Sequence, residues 1–310
     1  MNRRAMPERP DGSAVRFFLR AGGAAAVLAA VVVLTGCSLV SAPILDPKGP
    51  VALAERNLLF TAVGLMLIVI IPVFVMAGVF AWRYRAGGPG KYAPDWAYSG
   101  LIDAAIWLVP AAIVVALGVA LWQATHALDP YRQLDPTREA LEVEVIAQDW
   151  KWLFIYPEQD IASVNELVFP AGKPLSLRIT SDTVMNSFFI PALGGQIFAM
   201  AGMQTRLNLL ADAQGQFMGR NTQYSGDGFA DQHFTAIAVS EADFERWVAE
   251  AGQAGQGLDM DAYAALATPS IAHPVTYYSD VEEGLFDAVI AKYIQGEGHM
   301  AHARSASEGD

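Results

Sequence analysis

The stretch that decides this chain reads Asn221-Thr222-Gln223-Tyr224-Ser225-Gly226-Asp227-Gly228-Phe229-Ala230-Asp231-Gln232, and an earlier one, Val184-Met185-Asn186-Ser187-Phe188-Phe189-Ile190-Pro191, belongs with it. Gly226 and Gly228 supply turns in the first stretch, because glycine alone takes left-handed backbone at no steric cost. Tyr224 and Phe229 are expected to fill the space that the loop encloses. The loop runs into an apolar segment at residues 235–239, and residues 187–190 form a similar one closed by Pro191. Each loop is thus attached to a short strand.

Working outward, more segments of the same kind appear. Leu141-Glu142-Val143-Glu144-Val145 and Leu175-Ser176-Leu177-Arg178-Ile179 alternate apolar and polar residues, the period of a half-buried strand. Residues 152–156 and 206–210 are further strand candidates, and Pro170, Gly172-Lys173-Pro174 and Gly194-Gly195 punctuate the series. Many short strands with turn signals between them predict a small β-sandwich.

Ahead of the sandwich the chemistry is different. Hydrophobic residues make up 53% of the chain and charged ones only 17%, which points to membrane segments. Residues 1–125 carry 10 basic and 6 acidic side chains, whereas residues 126–310 carry 10 basic and 26 acidic ones. The second part is therefore expected to be a water-exposed acidic domain, and nucleic acid is excluded as a partner because phosphate requires a basic surface. Residues 58–81 and 104–125 are uncharged runs of spanning length. Between them Arg83, Arg85 and Lys91 outweigh Asp95, which places this short loop in the cytoplasm and both outer flanks in the periplasm.

Arg3, Arg4, Arg9, Arg16 and Arg20 precede a short apolar run that ends in Leu34-Thr35-Gly36-Cys37. A positive start, an apolar stretch and small residues make a secretory signal. The last four residues resemble the bacterial lipoprotein cleavage box, which implies acylation of Cys37; a short first membrane helix is the other reading. Cys37 is the chain's only cysteine, so neither an intramolecular disulfide nor a metal centre bridged by two thiolates can form. After Ser240 the pattern becomes helical, with amphipathic segments at 241–251, 261–267 and 283–294, and residues from 296 onward are small and polar, as in a disordered tail. His126, His233 and His273 show no spacing that suggests a site, and His299 and His302 lie in the tail.

The order of Trp150-Lys151-Trp152-Leu153-Phe154-Ile155-Tyr156-Pro157, Val184–Pro191, the run Gly194 to Leu207 and Tyr224-Ser225-Gly226-Asp227-Gly228-Phe229, downstream of two spans, resembles subunit II of the haem–copper respiratory oxidases. In the cytochrome c-oxidising members these loops hold two copper ions through Cys, His, Met and a backbone carbonyl, the soft and borderline ligands that copper favours. Here the two Cys positions are Asn221 and Ser225, and the carbonyl-bearing Glu position is Gln223. The late His is Phe229, the Met is Gln232 and the early His is Asn186. The loop frame without its ligands resembles the quinol-oxidising branch, the cytochrome bo-type ubiquinol oxidases.

The resemblance implies a two-helix membrane hairpin followed by a periplasmic cupredoxin-like Greek-key β-sandwich with a helical C-terminal extension. The expected boundaries are 1–36 for the signal, 37–126 for the hairpin segment, 127–240 for the sandwich, 241–295 for the extension and 296–310 for the tail. It also implies a subunit of a proton-pumping quinol oxidase that carries no catalytic residue and no redox metal of its own. Haems and one copper are expected in subunit I, with subunits III and IV as further partners, membrane lipid around the hairpin and ubiquinol reached through the complex. The family has an acid, then Trp and Pro, at the start of its second span, and assigns the acid to proton uptake; Asp103, with Trp107 and Pro110, stands there, as Asp in place of Glu. A cupredoxin-like lipoprotein outside any oxidase, or a subunit II serving cytochrome c or menaquinol, are the other readings.

Overall fold

The computed structural model describes residues 42–91, 95 and 98–294. The expected signal, Cys37, the tail and its two histidines lie outside them. Two long helices come first: α1, Pro50–Arg83, and α2, Gly100–Ala127. Both are long and apolar enough to cross a bilayer. Phe74 is 74% exposed and Leu101 86% exposed, an apolar surface that calls for lipid or neighbouring helices. At 34 residues α1 is about 51 Å long, well beyond a hydrocarbon core of about 30 Å. Its first turns are seated on the sandwich. Lys48 N–H donates to Ala192 O (2.7 Å), Ala52 N–H to Leu193 O (3.2 Å) and Gly195 N–H to the Glu55 carboxylate (3.1 Å).

The sandwich is built from twelve strands: β1 Leu141–Gln148, β2 Lys151–Tyr156, β3 Ile161–Val164, β4 Glu166–Pro170, β5 Leu175–Ser181, β6 Asn186–Ile190, β7 Gly194–Ala199, β8 Thr205–Leu209, β9 Gly215–Asn221, β10 His233–Val239, β11 Gly257–Leu258 and β12 Thr276–Val281. One sheet has seven strands in the order β11-β12-β3-β2-β1-β5-β8, and the other has five in the order β4-β10-β9-β6-β7. The β1–β5 and β10–β4 pairs are parallel, which requires the chain to cross between sheets. Between the sheets Trp152, Phe154, Phe188 and Phe234 form the aromatic centre, with Phe188 and Phe234 stacked at 4.9 Å. Rings packed this way add about 0.5–1.5 kcal/mol per pair to the gain from burial.

Part of the C-terminal extension covers the outer face of the seven-stranded sheet, while Phe244 and Ala251 of its first helix join the core between the sheets. Helices α3, Glu241–Ala251, and α4, Met260–Leu266, are each started by a side-chain cap, Ser240 and Asp259, whose oxygens accept from Asp243 N–H and Ala262 N–H. Residues 285–294 form α5. Tyr263, Leu266, Leu285, Phe286 and Val289 bury a second core against Ile146, Leu153 and Ile155. That is why every residue of β2 is buried, and why its sequence runs apolar without alternation. The extension is also more than helical: β11 and β12 join the sheet as its outermost strands, β12 antiparallel to β3.

Candidate functional site

Three loops meet at one end of the sandwich: the β1–β2 turn, the β5–β6 loop and the β9–β10 loop. The last of these contains a short 3-10 turn, Phe229–Asp231. In the β1–β2 turn Trp150 takes a φ of 64°, a conformation that a bulky side chain rarely adopts. The turn aims the indole across the β9–β10 loop, where its Nε1–H donates to Ser225 O at 3.0 Å. Gly228 lies beneath the ring, and a Cβ there would stand 2.4 Å from it. Glycine at 228 is therefore required by the close approach.

Inside these loops the positions that the resemblance sets against copper ligands form one hydrogen-bonded set. Asn221 Oδ1 accepts from Ser187 N–H (2.8 Å) and Gln223 N–H (2.9 Å). Its Nδ2 donates to Asn186 Oδ1 (2.7 Å) and Gln232 Oε1 (2.8 Å), with Ser225 Oγ at 3.2 Å. Ser225 Oγ donates to Gln232 Oε1 at 2.8 Å. Gln232 Nε2 donates to Asn186 Oδ1 (3.0 Å) and Gln148 O (3.4 Å), and Asn186 Nδ2 donates to Val184 O (2.8 Å) and Ser181 Oγ (3.3 Å). Asn186, Asn221 and Gln232 are all buried. The set is neutral and its amide groups are satisfied, as a buried polar network has to be if it is to stabilise.

Four of the positions named from sequence, Asn186, Asn221, Ser225 and Gln232, are thus brought together as side chains. Gln223 joins through its backbone N–H. Phe229 is half-buried and packs on Tyr224, with ring centroids 5.7 Å apart. The expectation for Tyr224 needs correction, since it is 71% exposed. Amides, not rings, occupy the interior of the loops, because their hydrogen bonds cross-link three backbone segments that a ring could only separate. His233 lies next to Gln232 and is exposed, directed away from the network by strand alternation. Asp103 sits in the first turn of α2, exposed, its N–H donating to Ser99 O at 2.9 Å. It takes no part in the loop cluster.

Neutral amides and a hydroxyl do not make the soft sulfur and imidazole set that a dinuclear copper centre needs. Among the described residues no group of three His, Cys, Asp or Glu side chains is arranged to hold a metal ion. The residues at these positions do not fit the metal.

Two features were missed from sequence. One is the role of Trp150 over the loop; the other is Lys151. Lys151 is fully buried, and its Nζ donates to Thr268 O (2.8 Å) and Ser270 Oγ (2.6 Å) in the extension. Burial pushes its pKa below the usual lysine value, with Asp149 opposing. A lysine inside an apolar run was the available signal, because a buried ammonium must find oxygen partners.

The family model of the cytochrome c oxidase subunit II periplasmic domain matches residues 157–240, and that of the COX aromatic rich motif matches residues 253–297. The chain is 49% identical over 280 residues to the cytochrome bo(3) ubiquinol oxidase subunit 2 of Pseudomonas putida, covering 90% of this chain and 88% of that one. It is 47% identical to its counterpart in Pseudomonas aeruginosa, covering 91% and 86%, and 46% identical to the ubiquinol oxidase subunit 2 of Acetobacter aceti, covering 87% of each. With membrane-length helices, a two-sheet domain whose loops hold amides at the ligand positions, and relatives that match along nearly their whole length, the chain belongs to the family of ubiquinol oxidase subunit 2.

Proposed function

We propose that the chain serves as the non-metallated subunit II of a membrane oxidase that takes electrons from ubiquinol and passes them to oxygen while pumping protons. The observation that carries this reading is the amide network: Asn186, Asn221, Ser225 and Gln232 satisfy one another where a subunit that receives electrons from a water-soluble carrier would need metal ligands. A quinol dissolved in the bilayer meets a haem-bearing subunit directly, so the outer domain has no electron to relay. Its tasks are then to cover the outer face of subunit I and to support assembly, with the haems and one copper held by subunit I. Subunits III and IV complete the complex in the bacterial inner membrane, with both termini of this chain in the periplasm and Cys37 acylated at its outer face.

The test is a choice-of-donor assay on the complex purified through this chain, with haem and metal counting. Turnover with ubiquinol, no turnover with reduced cytochrome c, and no copper assignable to this subunit are expected. Copper bound by this chain, or cytochrome c as the preferred donor, would overturn the reading.

Asp103 is proposed to stand at the mouth of a proton-uptake path on the cytoplasmic side. What supports this is its place in the first turn of α2, exposed at the end of a span and four residues ahead of Trp107. Asp103→Asn keeps the shape and removes the titratable proton. Slower turnover of a fully assembled complex is expected; unchanged turnover would reduce Asp103 to a helix-terminal acid favoured by the macrodipole.

A further inference from the structure

We propose that α5 is a clasp on the outer sheet of the sandwich, and that its grip tightens as the surrounding pH falls from neutrality toward the carboxylate range. Charge is crowded beneath the helix. Arg178 on β5 donates through Nη1 to Glu144 Oε1 at 2.6 Å and through Nη2 to Asp287 Oδ1 of α5 at 3.1 Å. Glu142 Oε1 lies 3.8 Å from its Nε, Gln204 Oε1 accepts from Nη2 at 3.0 Å, and the guanidinium rests 4.8 Å over the Phe286 ring.

One positive group therefore serves three carboxylates. Asp160, Glu282 and Glu283 join Glu144 and Asp287 in lining a cleft of about 370 Å³ at the same edge of α5. Arg206, opposite Arg178 in the β5–β8 register, is the other cation on this face and is exposed. At the far end of the helix Lys292 pairs with the buried Asp182 at 2.7 Å, whose other oxygen accepts from Tyr263 OH at 2.8 Å. Negative charge is in excess, and like charges sharing a site raise the proton affinity of the member that is worst solvated.

Among the carboxylates around Arg178 that member is Glu144, whose side chain is only 13% exposed against 48% for Glu142 and 70% for Asp287. Burial raises its pKa above the usual value, Arg178 opposes this, and the charges of Asp287 and Glu142 push further upward. The charge of Asp287 arrives with α5, and so do Leu285 and Asp287 as walls of the cleft that Glu144 lines. Releasing the helix removes them, so Glu144 holds its proton more tightly in the docked state than in the released one. By linkage the docked state gains as pH falls through that raised value and loses as pH rises through it. The neutral carboxyl still accepts from Arg178, which is left freer to hold Asp287.

Amide hydrogen exchange of the intact membrane complex, read on the peptide spanning α5 at about pH 7.5 and about pH 5.5 and corrected for intrinsic exchange, tests this. Protection of α5 is expected to rise about threefold or more at the lower pH, with α3 as an internal reference that does not follow. In Glu144→Gln the helix should already be protected at the higher pH and gain nothing on acidification. Equal protection at both pH values in the native chain, or an undiminished gain in Glu144→Gln, would overturn the proposal. If that variant does not assemble, Asp287→Asn takes its place: a weaker hold and a reduced gain are expected, and a full gain would overturn the proposal.

Discussion

Asn221 shows how much one buried amide carries. It accepts from two backbone N–H groups, of Ser187 and Gln223, and donates to the side chains of Asn186 and Gln232. Asn221→Ala leaves the N–H groups of Ser187 and Gln223 without an acceptor, while Asn186 Oδ1 and Gln232 Oε1 keep only their bonds to Gln232 Nε2 and Ser225 Oγ. Each stranded buried group costs about 1–3 kcal/mol, and relaxation recovers part of the sum, so a loss of about 3 kcal/mol in unfolding free energy is expected. Chemical denaturation of the purified protein measures it, and a loss below about 1 kcal/mol would mean that the network is held by its backbone alone. Asn221→Asp should be worse near neutral pH, because it adds an unpaired charge among oxygen acceptors. That the two loops belong together was legible in the sequence, since the loop frame is set by its glycines and flanking strands. How the replacements bond to one another was not. That depends on three segments far apart in the chain, and no local pattern records a distance between Asn186 and Gln232.

At the level of elements, alternation found the strands that have one wet face. The first half of β1 alternates, and its Leu141, Val143 and Val145 are buried. Strands buried on both sides, such as β3 with the sequence Ile-Ala-Ser-Val, gave no such signal. β9 was hidden by its glycines; at Gly219 a Cβ would stand 2.0 Å from the Phe234 ring, so a residue that weakens a strand is the one the core demands. The segment between α4 and β12 also looked featureless, yet it caps Lys151 and carries His273. Its Nδ1 lies 3.2 Å from Ser270 Oγ, and its backbone carbonyl accepts from Asn165 Nδ2 at 2.8 Å. Burial, helped by the charge of Lys151, holds the pKa of His273 below the usual imidazole value. As pH falls the unfolded chain takes up this proton first. The contribution is therefore present at neutral pH and lost through and below the ordinary imidazole range, the opposite sign to Glu144. His273→Gln should lose less stability than the native chain between about pH 7.5 and about pH 5.5, and equal losses would remove His273 from the account.

Over the whole molecule, the two halves meet different solvents. The helices expose apolar side chains along their length, while the described residues beyond α2 carry more acidic than basic side chains. What joins them is the seat of α1, where Lys48, Ala52 and Glu55 bond to the Ala192–Gly195 corner. Because the helix begins on the domain and continues into the bilayer as one α-helix, the corner works as a bearing that fixes the rotational phase of the span. Each residue of an α-helix advances the phase by about 100°. One alanine inserted after Asn57, just above the apolar run, should turn every lipid-facing and partner-facing side chain of α1 by about that angle while the domain stays in place. Loss of the assembled complex, with the outer domain still folded by circular dichroism, is the expected result. Restoration by removing Thr61, which resets the phase for everything beyond it, would show that angle rather than length was at fault.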